Sequence, residues 1–470
     1  MLTNSNSTLL FFFSVHALRA GWGSFLDDSS MNLTVALLSE HASPLAAVGG
    51  VDAGGQNIAV AELALHLTKL GTNVDVFTRL DDPALPAIVE WQPGIRVVHI
   101  EAGPVAPVAK EDMLPYMDAF TEQMIRFMGT QPRPYDLIHA HFFMSGYVAC
   151  QIKARLGIPF AITFHALGEV RRQLQGTSDR FPADRFAIER QTILEADAVV
   201  ALCPQDRQDM ISLYGANPRT IVTIPNGFNP EQFYPVDKAL ARLMIGHDTP
   251  EPIILQLGRM VPRKGVDNVI RALGYMSRHY GIQARLLVVG GDSETPDPTR
   301  TPEIGRLAHL ADEEGISHQV TFTGSRKREE LRYYYSAADV FVTTPWYEPF
   351  GITPLESMAC GTPVVGSAVG GIKCTVLDNE TGFLVPPNQP ETLAAKLAVL
   401  IHSKQLRTLL GEEAIRHVGQ YYTWQHVAGQ TLALYRRIAQ NKSVGPSPIH
   451  LPLLPTMAPT DKTVVLAPKA

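Results

Sequence analysis

Two doubly wound α/β domains facing each other across a cleft are the fold class this sequence predicts, and three observations carry it. Short apolar, β-branched runs alternate with helical stretches along most of the chain, the pattern of parallel sheets covered on both faces. The alternation lapses between about Asn229 and Pro252 and then restarts, which marks a linker. The length of 470 residues exceeds what one core ordinarily organises.

The first domain begins with the strand Leu33–Leu38, a loop carrying Gly49-Gly50 and Gly54-Gly55-Gln56-Asn57, and a helix over Ile58–Leu70 that Gly71 ends. Glycines there let the backbone approach a ligand, and the helix start presents N–H groups to it. Further strands are predicted at Val74–Thr78, Ile95–Ile100, Leu137–His141, Phe160–Phe164, Ala198–Leu202 and Thr220–Ile224. The longest interruptions run from Gly103 to Asp112 and from Leu167 to Ala183; interruptions of that size are usually functional or mobile. The turn Pro225-Asn226-Gly227-Phe228 closes the domain.

The second domain opens with Pro252–Gly258 and runs into Arg259-Met-Val-Pro-Arg-Lys264-Gly265, then a helix from Val266 to Met276. Strands follow at Arg285–Val289, Gln319–Phe322, Asp339–Thr344, Pro363–Val365 and Gly382–Val385. Between the third and fourth of these lies Trp346-Tyr-Glu348-Pro-Phe350-Gly351-Ile-Thr-Pro-Leu-Glu356, read as a loop and then a helix from about Pro354 to Cys360. A helical stretch near Thr423–Gln440 is placed to cross back to the first domain.

Chemistry concentrates at the carboxyl ends of these strands, where open α/β sheets bind ligands. A hydroxyl-rich ligand needs acceptors, which Glu348 and Glu356 supply. A phosphate needs donors, which the Phe350 and Gly351 amides supply near a helix start. Arg259 and Lys264 add a forked donor and a point charge on a strand-to-helix loop, the pairing a diphosphate requires. This loop lacks the Gly-x-x-x-x-Gly-Lys-Ser/Thr pattern of a P-loop. His165 ends a central strand and is a functional candidate there, whereas His139 and His141 alternate with apolar residues and read either way. Arg171, Arg172 and Arg185 read as exposed, solvating charges.

A net charge of −6 gives no overall basic field and argues against nucleic acid as partner. Cys150, Cys203, Cys360 and Cys374 are scattered without metal-ligand spacing, as in a reduced, cytoplasmic chain. The apolar run Leu9–Val15 is too short to span a bilayer and lacks a basic stretch before it. Residues 1–30 are expected to be a loosely ordered extension ahead of Met31, and residues 443–470 a Pro-rich disordered tail.

With these residues placed, the chain from Asn32 to Gln440 resembles the retaining glycosyltransferases of family 4, which have two Rossmann-like domains (the GT-B fold). Glu348-Pro-Phe-Gly-Ile-Thr-Pro-Leu-Glu356 matches the family's two glutamates separated by seven residues, and Arg259 with Lys264-Gly265 its diphosphate loop. Asp52-Ala-Gly54-Gly55-Gln56 and His165-Ala-Leu-Gly resemble the sucrose-phosphate synthase and sucrose synthase branch; Gly54-Gly55-x-Asn57 also resembles the inositol-phosphate branch. The resemblance implies residues 31–229 as acceptor domain, 230–422 as linker and donor domain, and 423–442 as a returning helix. It implies that Arg259 and Lys264 hold the donor diphosphate and stabilise it as it leaves. Glu356 would accept from the ribose, Glu348 would bind the donor sugar with the Phe350 and Gly351 backbone, and His165 would contact the sugar. Gly55 would bring its amide close to the phosphate, Gly54 and Gln56 would belong to the same substrate-binding turn, and the residues near Gly324 would border the nucleobase, mostly through backbone.

The implied activity is hexosyl transfer from a nucleotide-diphosphate sugar to a hydroxyl, with cations where other glycosyltransferases use a metal; no Asp-x-Asp motif is evident. No cofactor is expected beyond the co-substrate, a UDP-, GDP- or ADP-sugar. The acceptor is left open among a sugar, a sugar phosphate with Arg185 near its phosphate, and a lipid-linked acceptor with peripheral membrane contact. Two other classes compete. A non-catalytic nucleotide-sugar-binding protein would be marked by a broken cation or glutamate pair, and both pairs are whole. A dinucleotide oxidoreductase would carry Gly-x-Gly-x-x-Gly after the first strand, and that fingerprint is not evident.

Overall fold

The computed structural model describes residues 32–46 and 54–442. The expected extension over 1–30, Gly49-Gly50, Asp52 and the tail after 442 lie outside the described residues. Eight strands form the first sheet: β1 (Thr34–Leu38), β2 (Asn73–Arg79), β3 (Ile88–Gln92), β4 (Ile95–Ile100), β5 (Leu137–His141), β6 (Phe160–Thr163), β7 (Ala198–Ala201) and β8 (Ile221–Thr223). Their order is β3-β4-β2-β1-β5-β6-β7-β8. Six form the second: β9 (Ile253–Leu257), β10 (Arg285–Val289), β11 (Val320–Gly324), β12 (Val340–Thr343), β13 (Val364–Ser367) and β14 (Gly382–Val385), in the order β11-β10-β9-β12-β13-β14. Every pairing is parallel except β3 with β4.

Three local features depart from the sequence reading. β3 is an additional edge strand; its residues alternate between exposed and half-buried, so it has little apolar content to signal it. The interruption from Leu167 to Ala183 contains a helix, Gly168–Gln175. The helix carrying Glu356 spans Ile352–Ala359 and so starts before Pro354, which still sits in its first turn, where a missing N–H costs nothing.

Strand order decides where a ligand can sit. β1 lies between β2 and β5, and β9 between β10 and β12. Where neighbouring strands send their crossovers to opposite faces, a crevice opens at their carboxyl ends. The loops after β9 and β12 therefore emerge side by side, although some eighty residues part them in sequence (Gly265 to Thr344).

The chain passes between the domains twice, and the passages are stitched together. The Phe228 N–H donates to Tyr422 O at 2.8 Å, and the Trp424 N–H donates to Phe228 O at 3.1 Å. Helix Trp424–Lys442 then lies on helix Gly55–Lys69. Its Ala428, Leu432 and Tyr435 complete the cluster of Leu63, Ala64 and Leu67 in the first domain. On the other passage, helix Lys238–Met244 is held to the second domain through Asp339, whose oxygens lie 3.0 Å from Lys238 Nζ, 2.8 Å from Arg242 Nη2 and 3.3 Å from Arg407 Nη2. Burial alone would push that carboxyl up, but the cations outweigh it and hold it below the ordinary value.

Gly227 sits at the stitch. A Cβ there would come within 2.8 Å of Tyr422 O and 2.9 Å of Trp424 N, both backbone atoms that cannot rotate away. We expect Gly227→Ala to destabilise the protein by about 1–3 kcal/mol through overpacking, measured as a lower midpoint in denaturant unfolding. An unchanged midpoint would show that the two passages slide past each other freely.

Candidate active site

A cavity of about 610 Å³ lies between the two sheets' carboxyl edges. The first domain contributes His41, Gly54, Gly55, Gln56, Lys110, His165 and Arg171 to its wall; the second contributes Arg259, Arg263, Lys264, Glu348, Phe350, Gly351 and Glu356, with Gly290, Gly291 and Ser325 at its far end. Residues that the sequence scatters over some three hundred positions thus share one space.

Lys264 is placed by the glycine that follows it. After β9 the chain makes one 3-10 turn, Pro262–Lys264, and Gly265 adopts φ +67°. A Cβ on Gly265 would lie 2.0 Å from Thr344 O. Only glycine allows this approach, and the Thr344 hydroxyl donates to Gly265 O at 2.8 Å to seal it. The cation loop is thereby pressed onto the end of β12. Lys264 Nζ donates to Glu348 Oε2, and Arg263 Nη1 lies 3.6 Å from the same oxygen while donating to Tyr347 O at 3.1 Å. The side chains of Lys264 and Glu348 are 17% and 13% exposed, so neither is freely solvated. Burial pulls the Lys264 ammonium below its ordinary value, with Glu348 opposing. For Glu348 burial pushes up, but Lys264, Arg263 and Arg259 together hold the carboxyl below its ordinary value. Three cations face one carboxylate, and the surplus is positive.

The first domain meets this surplus with a helix start. Gly54 precedes helix Gly55–Lys69, and its N–H donates to Asn57 Oδ1 at 3.0 Å. A Cβ on Gly54 would lie 4.0 Å from the Arg259 guanidinium, so helix start and cation nearly touch across the cleft. Gln56 has a structural task as well: its amide donates to Ser39 Oγ at 3.1 Å and to His141 O at 3.3 Å.

Glu356 is buried; its Oε2 is hydrogen-bonded, while its Oε1 is ion-paired but accepts no hydrogen bond. The Tyr335 hydroxyl donates to Oε2 at 2.9 Å, and Arg328 Nη1 lies 2.9 Å from Oε1. Arg328 in turn donates through Nε to Gln232 Oε1 at 3.0 Å and stacks 4.9 Å from the Phe233 ring centroid. Arg263 and Arg328 were not singled out from sequence. Arg263 adjoins Lys264, which is a usable signal; Arg328 meets Glu356 only through the fold.

His165 sits half-buried at the cleft wall with φ +58°. Behind it stands a row of imidazoles. His165 Nε2 is 2.9 Å from His141 Nδ1, the His141 and His139 ring centroids are 4.3 Å apart, and His139 lies 2.6 Å from the Tyr435 hydroxyl and 2.8 Å from Thr163 Oγ1. Burial lowers His139 and His165 to about 3, and His139 and His41 add to the effect at His165. All three imidazoles of the row are neutral at pH 7.

Three expectations are corrected. Arg185 is not a solvating charge and does not line the cavity: it is 1% exposed, paired with Glu189 at 2.7 Å, bonded to Ala166 O at 2.6 Å, and enclosed by the rings of Phe142, Phe143 and Phe181. Its i,i+4 spacing to Glu189 was the available sign. Arg171 is half-buried, bonded to Asp179 at 3.0 Å, and lines the cleft. Gly324 does not line the cavity; its α-carbon packs against the Ser293 and Glu294 carbonyls, and Ser325 faces the space instead.

The buried imidazoles make a prediction for stability. An imidazole that ionises near its ordinary 6.5 when unfolded, but only near 3 when folded, leaves the unfolded chain the better proton acceptor between those values, so stability falls as pH drops through that window. Asp206, pushed up to about 7 by burial, acts in the opposite sense, so the test compares variants. Between pH 6.5 and 5 the stability of the wild type relative to His139→Asn should shrink by about 1 kcal/mol per pH unit, read by urea unfolding. Parallel curves would show that His139 ionises as it does in water.

Comparison with known proteins agrees with this geometry. Residues 53–232 match the family described as Glycosyltransferase Family 4, and residues 238–417 that described as Glycosyl transferases group 1. The chain is 36% identical over 429 residues to D-inositol 3-phosphate glycosyltransferase of Kineococcus radiotolerans, covering 88% of this chain and 98% of that one. It is 35% identical over 413 residues to D-inositol 3-phosphate glycosyltransferase 2 of Catenulispora acidiphila, covering 87% and 96%. Sucrose-phosphate synthase from Thermosynechococcus elongatus superposes with a TM-score of 0.80 at 34% identity, covering 88% of this chain and all of that one. Anabaena HepE, at 19% identity and a TM-score of 0.69, shares the fold. With its cation loop, its glutamate pair and its two facing domains accounted for, this chain belongs to the family 4, group 1 glycosyltransferases of the GT-B fold, which transfer a sugar from a nucleotide donor.

Proposed function

We propose that this enzyme transfers a hexosyl group, with retention of configuration, from a nucleoside-diphosphate sugar to a hydroxyl of a small phosphorylated acceptor. One observation carries the proposal: the cleft has cations on both walls. Arg259, Arg263 and Lys264 stand on the second-domain wall; on the first stand Lys110, beside Glu111, and Arg171, which also pairs with Asp179. A diphosphate accounts for the first set and a second anion for the other. The names of the relatives, inositol 3-phosphate glycosyltransferase and sucrose-phosphate synthase, both point to a phosphorylated small molecule.

In this reading the donor diphosphate lies between Arg259 and Lys264 and the amides at Gly54 and Gly55. Its ribose meets Glu356, its base the far end at Gly290, Gly291 and Ser325, and its sugar Glu348 and His165. When the bond from the anomeric carbon to the phosphate oxygen breaks, negative charge grows on the diphosphate and positive charge on the sugar ring. Fixed cations aimed at the leaving group stabilise the first without reorganising. A neutral His165 suits the second: it can hydrogen-bond a sugar hydroxyl without repelling an oxocarbenium-like ring. The acceptor hydroxyl attacks on the face the leaving group vacates, and a phosphate oxygen takes its proton.

Lys264→Ala and Arg259→Ala should each lower kcat by about 10²–10³-fold, the loss expected for one preorganised donor, roughly 2.7–4 kcal/mol. Unchanged turnover of every accepted donor would remove the basis of the mechanism. For the acceptor, inositol phosphates and hexose phosphates should stimulate nucleotide release while their unphosphorylated counterparts do not. Lys110→Ala should raise the acceptor KM and leave donor binding in place. Equal stimulation with and without phosphate would favour a polysaccharide or lipid-linked acceptor instead.

A further inference from the structure

Away from the cleft lining, two cysteines from different domains meet. Cys203 follows β7 and opens helix Pro204–Tyr214, where its Sγ accepts from the Asp206 N–H at 3.4 Å. Cys374 lies on the short helix Ile372–Thr375 of the second domain. The two thiols are close enough that each shifts the ionisation of the other. The contacts around them fix the same juxtaposition. Lys373 Nζ donates to Gln205 Oε1 at 3.1 Å, pairing the residue before Cys374 with the one two positions after Cys203. Pro349 O receives both the Gly371 N–H at 3.1 Å and the Cys203 thiol at 3.8 Å. The Tyr422 hydroxyl donates to Cys374 O at 3.2 Å, so the second interdomain passage closes over the pair.

We propose that Cys203 and Cys374 are a reversible oxidation site whose product is a disulfide joining the two domains beside the Glu348-Pro349-Phe350 loop. Both are free thiols here. Their environments divide the labour. Cys374 is half-buried, and the neighbouring Cys203 thiol draws it down to about 7, against burial and with help from Lys373; a thiolate is the attacking form. The closeness of Cys374, with burial, pushes the Cys203 thiol up. Cys150 and Cys360 are buried within single domains and pushed up by burial, so they do not compete.

The oxidant is a hydroperoxide. The Cys374 thiolate attacks its terminal oxygen, the O–O bond breaks, and the departing alkoxide takes a proton to leave as alcohol or water. The Cys203 thiol then displaces hydroxide from the Cys374 sulfenic acid, its proton leaves with that hydroxide as water, and the S–S bond forms. Two thiols and one peroxide give one disulfide, one alcohol or water, and one water. A dithiol reverses the change by exchange. The covalent tie fixes the width of a cleft that substrates must enter and products leave, so the oxidised enzyme is slow whatever its chemistry step.

The test uses the full chain with hydrogen peroxide, followed by alkylation, non-reducing digestion and mass spectrometry. The expected result is a Cys203–Cys374 cross-linked peptide within one chain, absent in Cys203→Ser and in Cys374→Ser. Turnover should fall roughly tenfold or more and return with dithiothreitol, while both variants keep the basal rate before oxidation. Mapping the cross-link does not use the transfer reaction, so its outcome stands apart from the assignment of donor and acceptor. Cys374 oxidised to sulfenic or sulfinic acid with Cys203 still reduced, a linkage between separate chains, or a cross-linked enzyme with undiminished turnover would each overturn the proposal. Should one serine variant fail to fold, the other still decides.

Discussion

The contact between Lys264 and Glu348 is the interaction on which the site depends. It joins the loop after β9 to the loop after β12, and it exists because those strands are neighbours at the point where the second sheet reverses its winding. Gly265 lets the first loop lie against the Thr344 carbonyl, and the ion pair then closes over it. Pairing also keeps a partly desolvated ammonium charged, since an isolated one would tend to lose its proton. With Arg259 and Arg263 beside it, the pair leaves a positive surplus, a field that an entering anion would find already in place.

The opposite wall is built on a different principle. Burial, rather than charge pairing, sets its chemistry. His165, His141 and His139 form a neutral row running from the cleft to Tyr435 on the returning helix. The last helix therefore completes the apolar core of the first domain and also supports the imidazole row that ends at His165 in the cleft wall. A neutral imidazole thus stands opposite a positive surface; under the proposed reaction this would separate its two demands, one wall stabilising the departing anion and the other orienting the sugar.

Between the walls, the domains are held by few but specific links. The backbone stitch of Phe228 with Tyr422 and Trp424 fixes the two crossings against each other. Arg328 connects Glu356 to Gln232 at the start of the linker. The Cys203 thiol meets the Pro349 carbonyl beside Cys374, which puts an interdomain contact next to the Glu348 loop. Each of these is a point where cleft geometry is tied to the residues that line it.

Strand runs, helix stops and the loops bearing Arg259, Lys264, Glu348 and Glu356 were readable from sequence, because burial and backbone conformation impose local patterns. So was the family, since its glutamate spacing and cation loop are contiguous. The edge strand β3 escaped because it buries little, and Arg185 was misread because a charged side chain looks solvated until its partners Glu189 and three aromatic rings are in place. The neighbourhood of Gly324 was readable, but that Ser325 rather than Gly324 lines the cavity was not, since the direction of a loop after a strand is settled by what it packs on. By itself the sequence determined which segments form strands and which side chains end them. The tertiary structure alone decided which strand ends are neighbours, and therefore that Lys264 meets Glu348, Arg328 meets Glu356 and Cys203 meets Cys374, because strand order depends on long-range packing that no local pattern encodes.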